Sequence, residues 1–325
     1  MLWRGDFQNA RQLLQALARR ADRKSRKLHP PPASPTEAFH LWRQAKSQRA
    51  RTLGMLLLPL AEDYSVPLRR APDVRQACVE AYGPGAEPSV VSLRELLGLI
   101  GAHEWRKAGI EIPALGGRIH PHYGVFAPVR SEYVGLVADA PLPAPALPLA
   151  FDIGTGTGVL AAVLAKRGIA RIVATDRDPR ALECARENIA RLGLASQVEV
   201  IEADLFPAGR APLIVCNPPW IPARPSAPLE HAIFDPESRM LQGFINGLAA
   251  HLESRGEGWL VLSDFAEHLG LRTRAELLSA FDAAGLKVTG RIDVRPHHPK
   301  VSDATDPLHT ARAAEVTSLW RLTIR

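Results

Sequence analysis

Residues 151–168 read FDIGTGTGVLAAVLAKRG. An apolar run ends in an acid, Asp152. Then Gly154, Thr155, Gly156, Thr157 and Gly158 lead into a pattern with helical spacing. Glycine lets a backbone turn sharply and come close to a ligand, and the first turn of a helix offers unpaired N–H groups. The stretch therefore reads as strand, ligand-facing turn and helix. A dinucleotide site would place its third glycine at 159, where this chain has Val159. The spacing here is G-x-G-x-G, and an acid upstream of it suits a cationic ligand better than a pyrophosphate.

Strands alternate with helices outward from that unit. Strand candidates are LPLAFDIG (147–154), RIVATD (171–176), VEVIEA (198–203), PLIVCN (212–217), GWLVLSD (258–264), LKVTGRIDV (286–294) and VTSLWRLTI (316–324). Helical spacing lies between them at 157–167, 179–192, 237–253 and 270–284. Apolar strands separated by helices predict an α/β fold, a doubly wound, seven-stranded and mostly parallel sheet. No helix is expected between the last two strands, so an antiparallel hairpin should close the C-terminal edge.

Ligands of such sheets bind at the carboxyl ends of the strands. Asp176 ends the second strand, about 20 residues past the glycines, where an acid accepts from ribose hydroxyls or caps the next helix. Asp178 and Pro179 form a better cap. Asp204, after the third strand, suits the amino group of a base, with Leu205 beside the ring; a solvated loop acid is the other reading. After the fourth strand comes IVCNPPWIP (214–222). Pro218 and Pro219 stiffen the backbone, the Asn217 amide both donates and accepts, and Trp220 offers a flat apolar face. That set suits a planar NH₂ group.

Together these elements resemble the class I S-adenosylmethionine-dependent methyltransferases, over about residues 120–325. The NPP-aromatic element is similar to that of enzymes which methylate amide or exocyclic nitrogens. Its WIP continuation resembles the release-factor glutamine methyltransferases, as does a helical domain ahead of the catalytic one. GVFAPVRSEYVGLV (124–137) is similar to the segment that precedes the glycine motif there, with Pro128, Arg130 and Glu132 matching its P, R and E. It departs in having an extra residue between Pro128 and Arg130, and in Trp220 replacing the commoner Tyr. The resemblance implies a Rossmann-like methyltransferase fold and an enzyme that carries a methyl group to nitrogen, most often on a protein glutamine. It implies S-adenosyl-L-methionine held by Asp152, Gly154, Thr155, Gly156, Gly158, Asp176, Asp204 and Leu205. Asn217, Pro218, Pro219 and Trp220 would be catalytic, with Phe126, Pro128, Arg130 and Glu132 at the substrate cleft; packing is the alternative role for Phe126 and Pro128. Methylation of an exocyclic amine on RNA or DNA is the alternative activity. A non-catalytic nucleic-acid-binding scaffold is the alternative of another class. A nicotinamide-dependent oxidoreductase is disfavoured by Val159.

The 325 residues allow two or three domains. Residues 6–27, 36–58, 73–81 and 92–108 have helical spacing, broken by PPASP (31–35) and by Gly/Pro punctuation at 83–88. The expected organisation is a helical substrate-recognition domain over 1–115 and a methyltransferase domain over 116–325. PLPAPALP (141–148) reads as a linker or as the entry to the first strand. Residues 1–51 hold twelve Lys/Arg against three acids, while the rest of the chain holds 28 against 31. The basic excess is thus N-terminal, a patch for nucleic-acid or ribosome phosphates or a solvated helix face.

Cys78, Cys184 and Cys216 lie far apart with no CxxC pair, so neither a metal site nor a disulfide framework is expected. RPHHP (295–299), His120 and His122 read as loop residues, and Trp3, Trp42 and Trp105 as core or helix-contact residues. LEHAIFDPES (229–238) reads either as a lid or as a loop-to-helix transition. No stretch is long enough to span a membrane, and charges occupy the start where a secretory segment would be apolar. Asp6 and Asp22 interrupt a resemblance to organelle transit segments. A cytoplasmic protein is expected.

Overall fold

The computed structural model describes every residue except Met1, 26–31, 86, 145, 226–229, 231, 298–300 and 302. The chain divides into two compact units, Met1–Ala108 and Gly109–Arg325.

In the first unit α1 spans Phe7–Ser25 and α2 Pro35–Gly54. The Ser34 side chain accepts from Glu37 N, and Pro35 occupies the first turn, where its missing N–H costs nothing. The helix expected to reach 58 stops early. Leu57–Leu60 is a strand, β1, with Leu58 and Leu60 inward, and Pro59 could not donate in a helix. After α3 (Arg75–Tyr82), β1 pairs antiparallel with β2 (Ser89–Ser92), which leads into α4 (Leu93–Ala108). Trp42 stacks on Phe39, and Trp3 Nε1 donates to Asp6 O. Trp105 is exposed rather than packed.

The second unit opens with a short antiparallel pair, β3 (Ile110–Ile112) and β4 (Gly117–Ile119), then α5 (Glu132–Asp139). Next come β5 (Ala150–Ile153), α6 (Val159–Lys166), β6 (Ile172–Asp176), α7 (Pro179–Arg191), β7 (Val198–Glu202) and β8 (Ala211–Cys216). They are followed by α8 (Arg239–His251), β9 (Leu252–Ser263), α9 (Phe265–His268), α10 (Arg274–Ala283), β10 (Leu286–Val294), α11 (His309–Ala314) and β11 (Thr317–Ile324).

One seven-stranded sheet runs β10-β11-β9-β8-β5-β6-β7. All neighbours are parallel except β11, which is antiparallel to both β9 and β10. The last two strands do pair antiparallel, but β11 inserts inside β10 and a short helix, α11, joins them. The stretch expected as helix to 253 gives way to β9 at Leu252. There Gly258 lets α8 lie close: a Cβ would meet Leu248 Cδ2 at 2.3 Å. The helix expected over 270–284 is α10, started by a capping box between Thr273 and Glu276, and the short α9 ahead of it is an addition.

Both faces of the sheet are covered. Along β8, Leu213 and Val215 pack on the side of α5 and α6, and Ile214 and Cys216 on the side of α8 and α10. The parallel register sets Ile153 beside Thr175 and Cys216, so Gly154, Asp176 and Asn217 follow one row at the carboxyl edge. Among the described residues no helix is long and apolar enough to cross a membrane.

Asn188 of α7 holds the glycine turn against the segment after β4. Its Oδ1 accepts from His120 N, and its Nδ2 donates to His120 O and to Thr157 O. Asn188 is fully buried, so Asn188→Ala would strand buried polar groups. It should cost about 3 kcal/mol in urea unfolding.

Candidate functional site

The glycine turn is held by two acids. Asp152, buried in β5, accepts with Oδ2 from Thr155 Oγ1 at 2.7 Å and from Ala161 N at 3.0 Å. Burial pushes its carboxyl up to about 6, against the opposing effect of those two bonds. Asp176 accepts with Oδ2 from Gly156 N and with Oδ1 from Asp178 N, both at 3.0 Å. Burial raises its carboxyl too. Thr155 N donates to Thr175 O, tying the turn to β6. Asp178 caps α7 by accepting from Arg180 N, which leaves Asp176 to the turn.

The three glycines have left-handed φ values of +72°, +55° and +80°, which favour glycine. They differ in what a side chain would meet. At Gly154 a Cβ would lie 2.3 Å from Met240 Cε, and at Gly158 it would lie 3.3 Å from Ala185 Cα. At Gly156 nothing lies within 4 Å. The turn is therefore packed at both ends and open at its middle, a cradle with room for a ligand.

Leu205 also has a left-handed backbone, φ +80°, unusual for a bulky residue. Thr175 Oγ1 donates to its carbonyl at 2.6 Å, and Gly243 of α8 leaves room for its side chain. Asp204 pairs with Arg239 Nη2 at 2.7 Å, both side chains well exposed. Such a pair is worth about 0–1 kcal/mol, little enough for a ligand to displace.

At the end of β8 Asn217 and Trp220 meet directly: Trp220 Nε1 donates to Asn217 Oδ1 at 2.9 Å. Pro218 is buried, while Asn217, Pro219 and Trp220 are half-exposed. Ile221 bridges to Phe234, and Asp235 N donates to Ile221 O. The Asp235 carboxylate, raised by burial, accepts from Met240 N and Leu241 N at the start of α8. Glu237 and Ser238 between them have φ values of +57° and +53°. The described part of 229–238 is thus a braced, strained entry to α8; residues 229 and 231 lie outside the described residues.

The segment ahead of the glycine motif stands apart from these bonds. Phe126 packs against the core on the α5 and α6 side of the sheet, and Pro128 is buried. Arg130 is lowered by burial, with Glu315 and Glu132 acting against that. Glu132 starts α5 and accepts from His297 N. Of the two histidines in RPHHP, His297 lies in a loop, and the second, at 298, lies outside the described residues. All three cysteines are buried free thiols. Met240, Arg239 and Gly243, which line this edge from α8, had no local signal in the sequence, since only the fold brings that helix over the turn.

The model of the methyltransferase small domain family matches residues 118–284, about half of the chain. The chain belongs to that family. Its cofactor is S-adenosylmethionine, and the open cradle at Gly156, with the Asp176 carboxylate on its N–H, fits a ligand that carries hydroxyls. The chain is 36% identical over 197 residues to a release factor glutamine methyltransferase of Cereibacter sphaeroides, covering 56% of this chain and 65% of that protein. It is 33% identical over 168 residues to one of Caulobacter vibrioides, covering 49% and 58%. A ribosomal protein L11 methyltransferase of Pelotomaculum thermopropionicum is 45% identical over 69 residues, covering 21% and 22%. The chain thus spans less than two thirds of each of these relatives.

Two outcomes follow. Gly158→Ala meets backbone and adopts a strained φ, so it should lower stability by about 2 kcal/mol in urea unfolding. Asp152 protonates more readily folded than unfolded, so its contribution to stability falls as pH rises from about 4 to 6. Thermal unfolding of Asp152→Asn across that range should lose this slope relative to the wild type.

Proposed function

We propose that this chain is an S-adenosylmethionine-dependent N-methyltransferase whose acceptor is a planar amide nitrogen, most specifically a protein glutamine. The observation that carries the reading is the placement of Asn217 one residue past β8, in register with Gly154 and Asp176. A methyl donor against the glycine turn and a nitrogen against Asn217 would share that edge. The family supports methyl transfer. The relatives matched over the longest stretches, named as release factor glutamine methyltransferases, support a protein glutamine.

Asp176 would take the ribose hydroxyls, Asp204 the adenine amino group with Leu205 beside the ring, and the turn from Gly154 to Gly158 the rest of the cofactor. Asp152 acts from beneath, through the turn it holds. When bound, the cofactor supplies an electrophilic methyl group on a sulfonium and takes back the electron pair of the broken C–S bond. An amide nitrogen is a weak nucleophile, because its lone pair is delocalised. The Asn217 Oδ1 and the Pro218 carbonyl would accept its two N–H bonds, fix its direction and stabilise the charge that develops on it. The methylated nitrogen then gives up one proton to solvent.

A nucleic-acid acceptor is the second reading, favoured by one observation in the first unit. Arg11, Arg19, Arg20, Lys46 and Arg51 are exposed on α1 and α2, and two of the three acids of that stretch are already paired, Asp6 with Arg70 and Asp22 with Arg49. Such a surface can neutralise phosphates.

Radiolabelled S-adenosylmethionine, cell extract and purified protein separate the two. Label released by protease supports the glutamine reading, and label released by nuclease supports the nucleobase reading. Asn217→Ala should lower labelling at least a hundredfold, by analogy with loss of a transition-state hydrogen-bonding group. Equal labelling by the variant would refute the role of Asn217 in either form.

A further inference from the structure

The bond between Trp220 and Asn217 has a consequence for what the site accepts. An indole N–H only donates, so the Asn217 atom facing it must be the oxygen. Turning the amide over would set N–H against N–H. The local sequence favours this contact. Residues before proline are driven to extended backbone, and a polyproline-type turn has three residues, which brings positions 217 and 220 to one side. The indole is itself anchored, half-buried against the core clusters on both faces of the sheet.

We propose that Trp220 is a positioning residue that locks the Asn217 amide in one orientation and thereby selects the acceptor. With one oxygen lone pair taken by the indole, Asn217 offers a ligand a single remaining lone pair beside its own N–H donors. That edge is complementary to a group with an N–H donor next to an acceptor, as in a primary carboxamide. An alkyl ammonium has donors only and leaves the Asn217 N–H unmatched. A phenylalanine would keep the flat face and lose the lock. The inference rests on the N-methyltransferase reading and adds the acceptor's hydrogen-bonding pattern to it.

The test combines a spectroscopic and a kinetic arm. In ¹⁵N–¹H spectra the Trp220 indole proton should exchange slowly in the wild type and move upfield in Asn217→Ala. With a bacterial release factor as acceptor, Trp220→Phe should lower kcat about tenfold, the worth of one hydrogen bond, and leave the dissociation constant for S-adenosylmethionine unchanged. The same factor carrying lysine at the methylated position should stay unlabelled by the wild type. An indole proton that exchanges at the free rate, or a Trp220→Phe protein with wild-type kcat, would overturn the inference. So would efficient lysine labelling. If Asn217→Ala does not fold, the kcat of Trp220→Phe and the lysine acceptor decide. A wild type that labels no acceptor would instead sink the methyl-transfer reading, and the indole signal would still report on the lock.

Discussion

The carboxylate of Asp152 fixes the glycine turn, on which the proposed cofactor site depends. It is buried near the carboxyl end of β5, between β6 and β8, where an ionised acid is costly unless its oxygens are met. One oxygen takes both the Thr155 hydroxyl and the Ala161 N–H, and so fixes the turn to the helix that follows it. Asp176 then fixes the same turn to the next strand through Gly156 N. Two acids beneath and beside three glycines produce a backbone surface packed at its ends and open at its centre. The cofactor-binding role proposed for the turn depends on that opening.

Against this frame stands a second rigid element, the N-P-P-W turn. Two prolines limit its backbone, and a side-chain bond closes it. The start of α8 reaches the glycine turn through Met240, the Asp204 loop through Arg239 and Leu205 through Gly243. Asp235 anchors that start, and the left-handed backbone at Glu237 and Ser238 leads into it. Backbone of this kind persists only where its surroundings hold it, and it clusters at ligand sites.

Much of this was legible in the sequence, for reasons that can be named. The central strands are continuous apolar runs with Asp152, Asp176 and Asn217 at or beside their carboxyl ends, because a parallel sheet buries both faces and such sheets bind ligands at those ends. The insertion of β11 between β9 and β10 was not legible, because pairing order leaves no local trace. MLLLPL at 55–60 has the hydrophobicity of a helix end, and the pairing of β1 with β2 makes part of it a strand. The acids at the carboxyl edge are visible by type and spacing, while the partners the structure gives them are not. That Asp204 meets Arg239, and that Met240 covers Gly154, follows only once α8 is folded over the turn. The indole donor on Asn217 lies three residues away and could be drawn from chemistry alone, but the sequence suggested only its flat face.

The claim that the glycine turn is the cofactor cradle is tested most directly by titration calorimetry with S-adenosylhomocysteine. Gly156→Val fills the open centre of the turn with a β-branched side chain at a left-handed φ. The account predicts one binding site on the wild-type protein and no measurable binding to the variant, with the variant's circular dichroism still that of a folded chain. Equal affinity for the two proteins would contradict it.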